Sequence, residues 1–109
     1  MPAHPSRAMT EFGLIGKLTA RPGQRDALVA NLLEAADHLR GVEGCRTWLV
    51  QESAADPDAV WITEVWRSRD DHAASLAVPA IRGIITRSMP LLAGPPEGHE
   101  LRPRGGVGA

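Results

Sequence analysis

Val60 to Leu76 reads VWITEVWRSRDDHAASL, and within it the periodicity changes from that of a strand to that of a helix. Val60 to Trp66 is rich in β-branched and aromatic residues, with Val60, Ile62 and Trp66 on one face and Trp61 and Val65 on the other. Ser68 then occupies an N-cap position, followed by Asp70 and Asp71 in the first turn, where the helix dipole favours negative charge. A short helix is expected through Leu76. Val78-Pro79 marks a break before a second helical run from Ala80 to Met89.

Upstream, Cys45 to Ser53 (CRTWLVQES) is a second strand, with Leu49 facing away from Trp48 and Val50. The tetrapeptide Ala55-Asp56-Pro57-Asp58 supplies the turn of a hairpin with the strand from Val60. Leu28, Leu32, Ala35 and Leu39 recur at helical spacing and predict an amphipathic helix from about Gln24 to Arg40, closed by Gly41 as C-cap. Phe12 to Thr19 alternates as a first strand, with Leu14, Gly16 and Leu18 opposite Ile15 and Lys17. Past Pro90 and the Gly94-Pro95-Pro96 loop, His99 to Pro103 reads as a short edge strand. The order is strand, helix, strand, strand, helix, strand. This predicts an α+β fold, a ferredoxin-like split βαβ with a four-stranded antiparallel sheet. One domain is expected over residues 11–102, between flexible tails at 1–10 and 103–109.

Both faces of that sheet are apolar, and helices can cover only one. A homodimer through the other sheet face, with C2 symmetry, is the expected remedy. Twelve Lys and Arg against thirteen Asp and Glu give a net charge of -1, with the signs interspersed, which leaves no basic footprint for nucleic acid. No apolar run approaches the roughly 18 residues of a membrane span, and the N-terminus lacks the apolar stretch of a secretion signal, so no membrane partner and a cytoplasmic location are expected. Cys45 is the single cysteine and cannot form an internal disulfide; it reads as a small apolar residue at a strand start.

Glu64 and Trp66 share a strand face, and His72 lies early in the helix that follows. A carboxylate, an indole and an imidazole can therefore meet at one end of the space between sheet and helices. Burial there would raise the pKa of Glu64 and lower that of His72 unless each is held by a partner, which makes the three a candidate proton-transfer site. On spacing alone other roles stay open: His72 as a capping or surface residue, Trp66 as core, Glu64 paired with Arg67 or Arg46. His4, His38, His72 and His99 have neither i, i+4 pairing nor cysteine partners, so no metal site is expected. No GxGxxG turn, phosphate loop or GxSxG elbow occurs.

With these residues in place, the chain resembles the antibiotic biosynthesis monooxygenase family, small dimeric α/β-barrel proteins that include quinol monooxygenases and oxidases of aromatic polyketides. The resemblance runs from about Phe12 to Arg102, through GLIGKLTARPGQRDAL, GVEGCRTWLV, VWITEVWRSRDDHAASL and PLLAGPPEGHEL. It implies a dimeric α/β barrel with a pocket between sheet and helices. It also implies oxidation of a quinol-like or polycyclic phenolic substrate by O2 with no cofactor. His72 matches the family's helical histidine and Trp66 its strand tryptophan, although His72 follows Trp66 more closely than in several relatives. On this reading His72, Trp66 and Glu64 are catalytic, with His72 or Glu64 as base and Trp66 against the substrate ring. Leu14, Trp48, Ile62, Leu76 and Ile81 are the expected substrate walls. The first strand, FGLIGKL, lacks the asparagine of haem-degrading relatives. The alternative function is a non-oxidative small-molecule binding or isomerising protein of the same fold.

Overall fold

The computed structural model describes residues 11–108. Its elements follow the expected order: β1 (Phe12–Thr19), α1 (Arg25–Leu39), β2 (Cys45–Glu52), β3 (Ala59–Trp66), α2 (Arg69–Ser75), α3 (Pro79–Ser88), a 3-10 turn (Met89–Leu91) and β4 (Glu97–Leu101). The strands form one antiparallel sheet in the order β2-β3-β1-β4, the ferredoxin-like arrangement. Both edges are open, so the chain alone closes no barrel.

Three boundaries differ from the sequence reading, each for a local reason. Helix α1 ends at Leu39 with Arg40 as C-cap in right-handed geometry, and Gly41 has no positive φ; the left-handed glycine of this connection is Gly44, at φ +88°. Pro79 is itself the first residue of α3, where its missing N–H costs no hydrogen bond. The edge strand β4 starts earlier than expected and stops at Leu101. Its residues are all exposed, and its extent is set by pairing with β1, Gly13 opposite Leu101 and Lys17 opposite Glu97, rather than by apolar alternation of its own. Beyond it, residues 102–108 run without regular structure, and Thr47 Oγ1 donates to the Gly108 carbonyl at 3.1 Å. The expected 1–10 tail, with His4, lies outside the described residues.

Helices cover the face carrying Leu14, Ile62, Trp66 and Trp48. The core beneath them is divided. Phe12, Ala35, Leu39, Trp66, Ile81 and Ile84 form one buried cluster, and Ala20, Leu28, Leu32, Val60, Ile62 and Leu92 form another, with Trp48 packed against both. The opposite sheet face presents Ile15, Trp61 and Val65 half-buried and Leu49 exposed.

The junction between β3 and α2 is tied to the start of β2 through charged groups. Arg67 donates to both carboxylate oxygens of Asp71, at 2.7 and 2.9 Å, and to Glu43 at 2.9 Å, while its backbone N–H donates to the Gly44 carbonyl at 2.7 Å. The Arg67 hydrogen bonds are the main reason the Asp71 carboxyl is held below its ordinary pKa. A Cβ at Gly44 would lie 2.5 Å from the Asp71 carboxylate, which cannot swing away without breaking these bonds. Gly44→Ala thus combines left-handed strain with a steric clash and is expected to destabilise the fold by about 1–3 kcal/mol. Urea unfolding checks this; an unchanged midpoint would show that the junction is soft.

Candidate active site

Between the two core clusters lies a cavity of about 440 Å³. Its walls are apolar side chains of α1, α3 and the inner sheet face, and all five expected wall residues, Leu14, Trp48, Ile62, Leu76 and Ile81, line it. Its mouth opens where Leu76, Ile85 and Met89 are exposed, across from residues 96–98 at the start of β4. Two ionisable side chains, Glu64 and His72, stand in the wall near the buried Trp66.

Strand alternation puts Glu64 on the inner face, with Trp48 directly opposite on β2 and Leu14 directly opposite on β1. The Trp66 indole donates its Nε1–H to Glu64 Oε1 at 2.9 Å, and the Trp48 indole, cross-strand from the same carboxyl, also favours its charged form. His72 is carried over this row by the first turn of α2, which is capped as expected: Ser68 Oγ accepts the Asp71 N–H at 3.1 Å. The imidazole packs 5.1 Å from the Phe12 ring and edge-on to Trp66 at 5.6 Å, and its Nε2 comes within 3.8 Å of Glu64 Oε1.

Burial pushes the Glu64 carboxyl above its ordinary pKa, while the Trp66 hydrogen bond, the nearby His72 and the Trp48 hydrogen bond oppose that rise. Removing a carboxylate from water costs several kcal/mol, and each hydrogen bond to a charged group returns about 1.5–3 kcal/mol. Two indoles therefore offset much of the penalty without cancelling it. Cys45, half-buried at the start of β2 beside the same cluster, has its thiol pushed up by burial and then by Glu64.

The expected trio does converge, but Trp66 takes a different place from the one anticipated. It has no exposed surface and lies behind Glu64, so it holds the carboxyl rather than facing the hollow. Glu64 is engaged by neither arginine weighed for it: Arg67 binds Asp71 and Glu43, and Arg46 lies 3.8 Å from Glu11. Sequence reading missed Phe12 as a neighbour of His72 and Trp48 as the cross-strand neighbour of Glu64. The Trp48 contact depends on the β2–β3 register, which includes an irregularity between Cys45 and Thr47 and cannot be counted from spacing. Among the described residues, no three His, Cys, Asp or Glu side chains gather in a way that could hold a metal ion, and no helix is long and apolar enough to cross a membrane.

Residues 12–87 match the antibiotic biosynthesis monooxygenase family. The chain belongs to that family. A protein of Chloroflexus aurantiacus J-10-fl, provisionally named an antibiotic biosynthesis monooxygenase, is 47% identical over 89% of this chain and 96% of its own, with a TM-score of 0.82. Rv0793 from Mycobacterium tuberculosis is 26% identical over 90% of this chain and 99% of its own, with a TM-score of 0.81. A Caulobacter crescentus CB15 protein with the same provisional name has a TM-score of 0.83 over 88% of this chain and 92% of its own; at 16% identity it shows the fold alone. No curated protein matches the chain. For an antibiotic biosynthesis monooxygenase fold the Glu64 environment carries a direct stability consequence. The native state holds its proton to higher pH than the unfolded chain does, so this residue's contribution to stability is lost as pH rises from the ordinary carboxylate range through the raised native value. Glu64→Gln keeps an oxygen acceptor for Trp66 and removes the charge. It is expected to melt above the parent at about pH 8, with the gap closing toward about pH 4. A gap independent of pH in thermal melts would contradict the assignment.

Proposed function

We propose that the protein is a monooxygenase that oxidises a quinol-like or polycyclic phenolic compound with O2, without a cofactor. The observation that carries this reading is a carboxyl–imidazole pair set into the wall of a mainly apolar cavity of aromatic-ring size. Ground-state oxygen is a triplet and reacts slowly with closed-shell molecules, whereas an electron-rich phenolate or enolate can pass it one electron. The protein's task is then to form the anion and hold it with oxygen beside it, away from water.

His72 takes the proton from the substrate. The Glu64 carboxylate, steadied by the two indoles, stabilises the imidazolium that results, and Trp66 acts through Glu64 rather than through the ring. A substrate that gives up two hydrogens and receives one oxygen atom, the second leaving as water, supplies every electron the reaction needs.

The uncovered sheet face fits a second copy of the chain, with Ile15, Leu49, Trp61 and Val65 meeting their symmetry mates. Its apolar character on a small domain supports that pairing.

Oxygen uptake with a panel of hydroquinones and anthrones tests the chemistry. His72→Ala is expected to lose about a hundredfold in kcat/KM, and Trp66→Phe to lose less. Uptake unaffected by His72→Ala would remove the imidazole from the mechanism. Binding of the same compounds without uptake by the parent would favour a non-oxidative binding or isomerising protein of this fold. Sedimentation is expected to give twice the protomer mass, and Leu49→Glu together with Trp61→Glu to give a monomer; a monomeric parent would refute the pairing.

A further inference from the structure

The chemistry proposed above leaves a second inner-face carboxylate without a part. Leu14 stands opposite Glu64 on β3 and opposite Glu100 on β4, so Glu64, Leu14 and Glu100 form one row across three strands. His72 lies over that row. Its Nε2 is 3.8 Å from Glu64 Oε1, and Glu100, whose carboxyl is held below its ordinary pKa chiefly by its hydrogen bonds to Arg69 and in smaller part by His72, completes the row.

Glu100 is held by Arg69, one turn before His72 on α2. The guanidinium donates to both carboxylate oxygens at 2.7 Å, and it lies 4.7 Å over the Phe12 ring against which His72 packs. Helix α2 has only seven residues, and this fork ties it to the edge strand. Both partners are mainly exposed, and exposed pairs contribute little to global stability. A bidentate fork restricts orientation far more than it stabilises a fold.

We infer that Arg69 and Glu100 are positioning residues for His72: their fork sets the height and tilt of the turn that carries the imidazole, and their paired charges set the field in which it takes up a proton. This rests on His72 acting as the base. The charged groups around the imidazole are Glu64 of β3 at 3.8 Å, Glu100 of β4 in the same row, Arg69 of its own helix, which sits over the same Phe12 ring, and Glu97 of β4 further along the cavity wall. Asp71 is turned to Arg67 and Ser68, Phe12 of β1 is neutral, and α1 and α3 present no charged side chain to the cavity.

The test is an NMR titration of the His72 imidazole in the parent, Glu100→Gln and Arg69→Gln, with the resonance assigned by its loss in His72→Gln. Removing the carboxylate is expected to lower the midpoint. Removing the guanidinium leaves Glu100 unneutralised and is expected to raise it. With a substrate that supports oxygen uptake, each variant is expected to lose about tenfold in kcat with a smaller change in KM. A purely structural latch would leave the midpoint where it was. Midpoints that stay put in both variants, or move the same way, overturn the inference. The titration needs no substrate, so opposite shifts in a protein that consumes no oxygen would uphold the pair's role and refute only the oxidative reading.

Discussion

Everything about this site depends on a mostly buried carboxyl group on the helix-covered face of the sheet. A lone carboxylate at that depth would protonate or draw in water. Glu64 is kept in place because Trp66, on its own strand, donates its indole N–H to it, and Trp48, opposite on the neighbouring strand, also favours its charged form. Each indole also fills space in the core with its large apolar body, so the same side chains that pack the fold also surround the Glu64 carboxyl. The compensation is incomplete, which leaves the carboxyl more willing to share a proton than an exposed one would be.

The imidazole reaches this carboxyl by a different kind of support. Helix α2 is too short to hold its own position by apolar contact. It is fastened at its start by the Ser68 cap and the Arg67–Asp71 pair, and to β4 by the Arg69–Glu100 fork. The charged residues of RSRDDH are thus divided by direction, one set facing back toward β2 and the other forward to the edge strand. Gly44 permits the first set, because a side chain there would displace Asp71.

Much of this was legible in the order of residues. The change from period two to a capped helix placed β3 and α2 correctly, and the shared face of Glu64 and Trp66 followed from alternation alone. What stayed hidden depended on distances between strands. Trp48 meets Glu64 only through a register broken by the irregularity after Cys45, and Glu100 joins the row only through the β1–β4 register that sets it opposite Leu14. Gly41 looked like a helix stop because glycine commonly is one. The chain instead used a right-handed turn there and kept its left-handed residue for Gly44, where the approach of Asp71 leaves no room for a Cβ.

Polarity within the cavity bears on how a ring would lie in it. Two serines belong to its wall, yet both turn their hydroxyl hydrogens back to their own helices, Ser75 to the His72 carbonyl at 2.6 Å and Ser88 to the Ile84 carbonyl at 2.7 Å, and Ser88 also accepts from Asn31. Neither serine has a hydroxyl hydrogen left to donate to a bound molecule. The ionisable groups set into the wall beside the core are Glu64 and His72, with Glu97 out at the mouth. A phenolic edge that lost its water on passing Leu76 and Met89 would be compensated best at that pair, and the body of such a ring would pack against Leu14, Ile62 and Ile81. A ring oriented by where partners are present and where they are withheld would bring its acidic hydrogen to the group proposed to remove it.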